Sequence, residues 1–216
     1  MQLFNKEASK RIFTHTWYIY PLLIGLITVI WLWGFQAFHQ PTAHQSLLMF
    51  FSTNINNSGF TTEIKNEFYA REDLRQVDAY YSLPDLPTYV TKLNLYIRKS
   101  DILVLDKKTI DDLKGYQERF FVEFDDELIS KYFDDPDYEY YTYTSSDAKE
   151  FKYGIKIKDK NQEGTYLDNF MSFDKTYDYY LCLGASSVNL GYIGGEYNVK
   201  YDNALTFARH LLDKQL

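Results

Sequence analysis

The sequence predicts an α/β domain placed behind a single apolar helix, and three observations predict it. Residues 17–38, "WYIYPLLIGLITVIWLWGFQAF", contain no charged side chain. Residues 46–115 alternate short apolar runs with amphipathic segments, the pattern of strand–helix–strand units and hence of a parallel sheet flanked by helices. Further apolar and alternating stretches between 151 and 183 add strands, so the sheet is expected to be mostly parallel but mixed.

The apolar run comes first. As a helix it would extend about 33 Å, enough for the hydrocarbon core of a bilayer. Trp17, Tyr18 and Tyr20 at one end and Trp31 and Trp33 toward the other suit the two interfacial belts, and Pro21 sits in the first turn, where its missing N–H costs little. A cleaved signal peptide fits less well, because the run is long for an h-region and no small-x-small site follows cleanly. A buried core helix is the third reading. Lys6, Lys10 and Arg11 outnumber Glu7 before the run, whereas no Asp, Glu, Lys or Arg follows until Glu63. The positive-inside rule then predicts a single-pass protein of the cell membrane with residues 1–16 cytoplasmic, 17–38 transmembrane, 39–45 a tether, and 39–216 outside the cytoplasm.

Composition narrows the function. The chain carries a net charge of −7, so neither nucleic acid nor an anionic lipid surface is the expected partner of the outer domain. The single cysteine excludes an intrachain disulfide and, in an exported domain, agrees with a bacterium that makes little use of disulfides.

The elements of residues 46–216 follow in order. "SLLMFFST" is a strand buried on both faces, and Phe60, Ile64 and Phe68 recur at helical spacing. "LRQVDAYYSL" is a second strand. Asp85 and Pro87 open a helix with the stripe Leu86, Val90, Leu93, Ile97. "DILVLD" is a third, central strand and "KKTIDDLK" a short helix closed by Gly115. Beyond it, "RFFVEF" reads as a strand and "DDELISKYF" as a helix opened by Asp125. "DDPDYEYYTYTSSDAKE" is an acidic, tyrosine-rich loop with room for a short strand; "FKYGIKIKD" and "YDYYLCLGAS" are strands, "GYIGGEYN" is a turn, and "DNALTFARHLLD" is a final helix.

This order of elements resembles the first lobe of bacterial extracellular solute-binding proteins of the type II periplasmic-binding fold. "LLMFFSTN" resembles the opening strand of that lobe, "DLPTYVTKLNLYIRKSDILVLDKKTIDDL" its helix–Asp–strand–helix segment, and "YYLCLGASSVN" with "DNALTFARHLL" its returning strand, polar loop and helix. The resemblance implies a reduced, single-lobe, membrane-anchored relative that captures a small ligand or presents it to a membrane partner. The alternative is an accessory subunit that docks onto a transporter, receptor or secretion complex in the same membrane.

In an open parallel sheet, ligands sit beyond the carboxyl ends of the strands. The ligand candidates are therefore Thr53 and Asn54 after the first strand, Ser82 and Asp85 after the second, Asp106 and Lys107 after the third, and Ser186, Ser187 and Asn189 after the returning strand. Asp106 is equally suited to cap the helix that follows it. Tyr138, Tyr140, Tyr141 and Tyr143 are candidates for a partner surface, since tyrosine is enriched at interfaces, and the same loop could grip carbohydrate. Asp159, Asn161, Glu163 and Gly164 match the first half of a calcium loop, but Phe170 stands where the bidentate glutamate belongs, so a turn is expected. No nucleophile elbow, His-Glu-x-x-His pair or Walker loop is present. The expectation is a binding protein with no catalytic residues, metal or cofactor.

Overall fold

The first of the chain's two units, Met1–Gln40, contains the helix α1 (Ile19–His39); the second is Pro41–Leu216. The computed structural model describes residues 18–67, 74–193, 196–198 and 201–215. Trp17, the charged residues that precede it, and Phe68 lie outside the described residues.

Helix α1 has 21 residues, and it is long and apolar enough to cross a membrane. None of its residues is buried, which overturns the buried-core reading. Its Thr28 hydroxyl donates back to the Ile24 carbonyl at 2.7 Å, so this polar group is satisfied within the helix.

The second unit opens differently from a free tether. Thr42 and Gln45 form a reciprocal capping box around a 3₁₀ turn, Ala43–Gln45. The His44 ring packs 4.6 Å from Tyr201, and its Nδ1 lies 3.0 Å from the Val188 carbonyl. Residues 41–45 are therefore part of the folded unit.

The strands follow: β1 (Ser46–Phe51), β2 (Asn54–Ile55), β3 (Gln76–Tyr81), β4 (Ile102–Asp106), β5 (Tyr140–Thr144), β6 (Glu150–Lys158), β7 (Met171–Ser172), β8 (Tyr179–Leu183), β9 (Tyr192–Ile193) and β10 (Glu196–Tyr197). The helices of this unit are α2 (Phe60–Glu67), α3 (Tyr89–Tyr96), α4 (Lys107–Asp112), α5 (Asp126–Tyr132) and α6 (Asn203–Gln215). Six strands form one sheet in the order β3-β1-β4-β8-β6-β5. The β3-β1-β4 half is parallel, as strand–helix alternation demands, and every later pairing is antiparallel. The expected α/β class and mixed sheet are thus present.

Side-chain alternation assigns the two faces. Met49, Phe51, Ile102, Val104, Ile155, Leu181 and Leu183 face a core closed by Phe60 and Ile64 of α2 and Phe207, Ala208 and Leu211 of α6. Phe50, Leu103, Leu105, Tyr180 and Cys182 face a second core under Tyr89, Leu93, Ile97 and Ile110. All five residues of β4 and of β8 are buried, because both strands are central and covered on both faces. Each buried aliphatic there contributes about 1.5–3 kcal/mol relative to exposure.

Several elements differ from the sequence expectation. "RFFVEF" is not a strand: Gln117–Arg119 is a 3₁₀ turn, and only Phe121 bridges to Gly184. Helix α3 starts at Tyr89 behind Thr88, so Asp85, which is exposed, caps nothing. Its buried stripe is Tyr89, Leu93, Ile97, while Leu86 and Val90 are 45% and 64% exposed. Tyrosine displaces valine from the core because its hydroxyl finds buried partners there. Within the tyrosine-rich loop, residues 140–144 form β5, and the "GYIGGEYN" turn carries the short antiparallel pair β9–β10. The calcium-like loop is organised by a cation of the protein's own. The buried Lys158 ammonium donates to the Gln162 carbonyl at 2.7 Å and to Asp168 at 2.8 Å, while Asp159 pairs with Lys156 and Glu163 with Lys175.

Candidate functional site

The nominated residues fall into three places, because β8 returns antiparallel to β4. That reversal puts the end of β8 beside the start of β4 (Leu183 opposite Ile102), whereas Asp106 lies opposite Tyr179. Ser186, Ser187 and Asn189 are thus at the opposite sheet edge from Thr53, Ser82 and Asp106. The expected single cluster does not exist.

At the carboxyl edge, a buried polar chain joins β1, α3 and α4. Ser52 Oγ and the Tyr89 hydroxyl are 2.5 Å apart, and that hydroxyl is 2.9 Å from Thr109 Oγ1. Thr109 Oγ1 donates to Asp106 Oδ2 at 2.6 Å, and its backbone N–H donates to Asp106 Oδ1 at 2.8 Å. Thr109 has one hydroxyl proton, so Tyr89 must donate to Thr109 and Ser52 to Tyr89. Asp106 is fully buried and caps α4. Burial, with the charge of Asp106 nearby, pushes the Tyr89 phenol well above its usual range, so it stays a neutral donor. Thr53 is committed too, its hydroxyl donating to the Ser172 carbonyl at 2.6 Å. Asn54 is exposed on β2, paired to β7, and Ser82 is buried with no hydrogen-bond partner for its hydroxyl. We expect Asp106→Ala to lower the stability of the unit by about 2 kcal/mol, the loss of a cap plus an orphaned Thr109. Thermal unfolding of the full chain checks this, and a change under about 0.5 kcal/mol would contradict the network's role.

At the amino edge, Asp101 is the hub, and sequence reasoning missed it. Its carboxylate accepts the Leu48 N–H at 2.8 Å, the Ser187 hydroxyl at 2.5 Å and the Asn189 amide at 3.1 Å. Asn189 also donates to the Ser46 carbonyl at 2.8 Å. Burial raises the carboxyl above its usual range, outweighing those hydrogen bonds and the nearby His44. A cavity of about 310 Å³ opens beside it, lined among others by Asp78, Lys99 and Ser186.

The third place is a groove of about 570 Å³ between α4 and β5, lined by Lys107, Asp111, Lys114, residues 140–144 and Tyr180. It gathers four of the nominated residues: Lys107, Tyr140, Tyr141 and Tyr143. The fourth tyrosine of the partner-surface group, Tyr138, is instead buried, with its hydroxyl 3.1 Å from Asp213. The groove exists because α3 and α4 cover the β1–β4–β8 part of this sheet face and leave its β5–β6 end open. Two sequence details shape its floor. The register of β5 against β6 shifts between Tyr141 and Thr142, breaking strict alternation. Across from Tyr141, a β-carbon at Gly154 would crowd Cys182 Sγ at 3.0 Å and Tyr180 Cβ at 3.2 Å, and Tyr141 itself meets Tyr180 edge-on at 5.5 Å.

The Tyr141 hydroxyl donates to Asp111 Oδ1 at 2.7 Å, and Lys114 pairs with the same oxygen at 3.1 Å. Burial opposes ionisation of Asp111, but the hydrogen bonds from Tyr141 and Lys114 prevail and hold its carboxyl below the usual range. Burial, then the Asp111 contact, pushes the Tyr141 phenol far above its usual range. Lys107 is exposed and makes no ion pair among the described residues. Asp111, Lys114 and Tyr180 were not nominated. The spacing of Lys107, Asp111 and Lys114, at i, i+4 and i+7, was a legible signal that the three share one helical face. Chemically, the groove offers aromatic surfaces, hydroxyls from Thr142 and Thr144, two ammonium groups and one engaged carboxylate.

No protein-family model, curated protein or solved structure matches this chain.

Proposed function

We propose that this protein is a membrane-anchored, extracytoplasmic and non-enzymatic binding domain, which captures a small polar ligand in the α4–β5 groove or presents it to a membrane partner. The groove carries the reading: it is open, of ligand size, and three separate segments converge on it with polar and aromatic side chains. The apolar α1, none of whose residues is buried, and the Lys6, Lys10 and Arg11 charges ahead of it support anchoring with the N-terminus in the cytoplasm. The sequence resemblance to one lobe of a solute-binding protein supports the same class of function. A second reading, docking onto a transporter or other complex in the same membrane, is favoured by β5. This strand ends the sheet and pairs only with β6 among the described residues, so a partner strand could add to it.

Native mass spectrometry of the full-length protein, released gently from its own membrane, tests both. Capture predicts an added mass of a few hundred daltons that disappears when Lys107 and Tyr143 are both changed to alanine. A bare mass, or an adduct that survives those changes, would sink the groove as the site. A companion protein in place of the adduct would favour docking.

A further inference from the structure

Resting on the capture reading, we infer that the α4–β5 groove takes a sugar bearing an acidic group, a carboxylate or a phosphate. Three features point to this ligand class. The walls are polar: of the nine lining residues four are tyrosines, two are threonines and three are charged. An acyl chain or other apolar ligand would cover Lys107 and the Thr142 and Thr144 hydroxyls without giving them partners, whereas a polyhydroxylated ring gives them donors and acceptors. Tyr140 and Tyr141 donate their hydroxyl protons within the wall, to the Phe133 carbonyl at 2.9 Å and to Asp111 at 2.7 Å, so what they and Tyr180 add to the lining is chiefly aromatic surface. Tyr143, half-buried at the mouth, supplies an accessible ring for the C–H face of a pyranose.

The local charge supplies the acidic group. The chain as a whole is at −7, yet the groove holds two lysines against one aspartate. Asp111 is already engaged by Tyr141 and by Lys114, so its charge is compensated within the wall. Lys107 makes no ion pair among the described residues; its ammonium adds to the positive field on Asp111 at the end of the groove where β4 passes into α4. In an acidic protein, an exposed cation outside any ion pair, in a groove with one more positive than negative side chain, selects a ligand with negative charge.

The test uses the full-length chain in nanodiscs of neutral lipid, read by saturation-transfer NMR and calorimetry. The probes are glucuronic acid, galacturonic acid and glucose 6-phosphate, the neutral sugars glucose and galactose, and inorganic phosphate. We expect at least one acidic sugar to bind about tenfold more tightly than its neutral counterpart and than phosphate. Lys107→Met should remove that preference, and Tyr143→Ala should weaken acidic and neutral sugars alike. Equal binding of neutral and acidic sugars would overturn the acidic part, and phosphate binding as tightly as the sugar phosphate would overturn the sugar part. If no sugar binds while the mass-spectrometric adduct persists and still depends on Lys107 and Tyr143, this ligand class is wrong and the capture reading stands. If the adduct is absent as well, both fail.

Discussion

Gly184→Ala is expected to destabilise the second unit by about 3 kcal/mol or more, among the largest effects of any single methyl in the chain. The reason is space. A β-carbon at 184 would lie 2.0 Å from the Ser100 carbonyl oxygen, a backbone atom that cannot rotate away. The backbone there is held from several sides: Gly184 N–H donates to the Asp101 carbonyl at 2.9 Å, Ala185 N–H to Phe120, and Val122 N–H to the Leu183 carbonyl. Relief would require β4 and β8, both wholly buried, to separate at this end. For a unit of this size the loss corresponds to a fall of roughly 6–12 °C in Tm. Near-ultraviolet circular dichroism of the full chain can follow it, since 21 tyrosines report on packing. A Tm within about 2 °C of wild type would show that the strands yield more easily than this contact implies.

Asp101→Ala is expected to cost about 3 kcal/mol through a different mechanism. It removes the acceptor of the Leu48 N–H and of the Ser187 hydroxyl and leaves donors at the amino edge unmatched. Asp101→Asn should be milder but still destabilising, because one amide oxygen cannot replace two carboxylate oxygens that serve three donors. The pH dependence gives a separate signature. Burial raises the folded-state carboxyl above its unfolded value, so the folded chain binds the proton more tightly than the unfolded chain. Asp101 therefore contributes stability at pH below its unfolded value that is lost as pH rises through the raised one. The margin of wild type over Asp101→Asn should shrink across that window in denaturant titrations at stepped pH. A margin that grew with pH would mean that the hydrogen bonds, not burial, dominate the carboxyl.

Much of the first half was legible because its signals are local. The run "ILVLD" between two polar boundaries can only be a covered strand, and Asp106 followed by Thr109 is a capping pattern whose geometry the structure reproduces. The candidate site was legible only in pieces. Lys107 and three tyrosines were named for unrelated reasons, as a strand-end residue and as a partner surface, and nothing in their spacing says that they meet. They meet because α4 ends short and β5 folds back through β6 and β8 to lie alongside it.

The sequence by itself determined the apolar helix, the strand–helix alternation and the caps at Asp106 and Asp125, since each depends on side chains within a few residues of one another. The direction of β8 was decided only by tertiary structure. A strand's composition and its two-face alternation are the same whichever way it runs; in the fold β8 lies antiparallel to both β4 and β6. That single choice moved Ser187 and Asn189 to the Asp101 edge and brought Tyr180 to the floor of the groove.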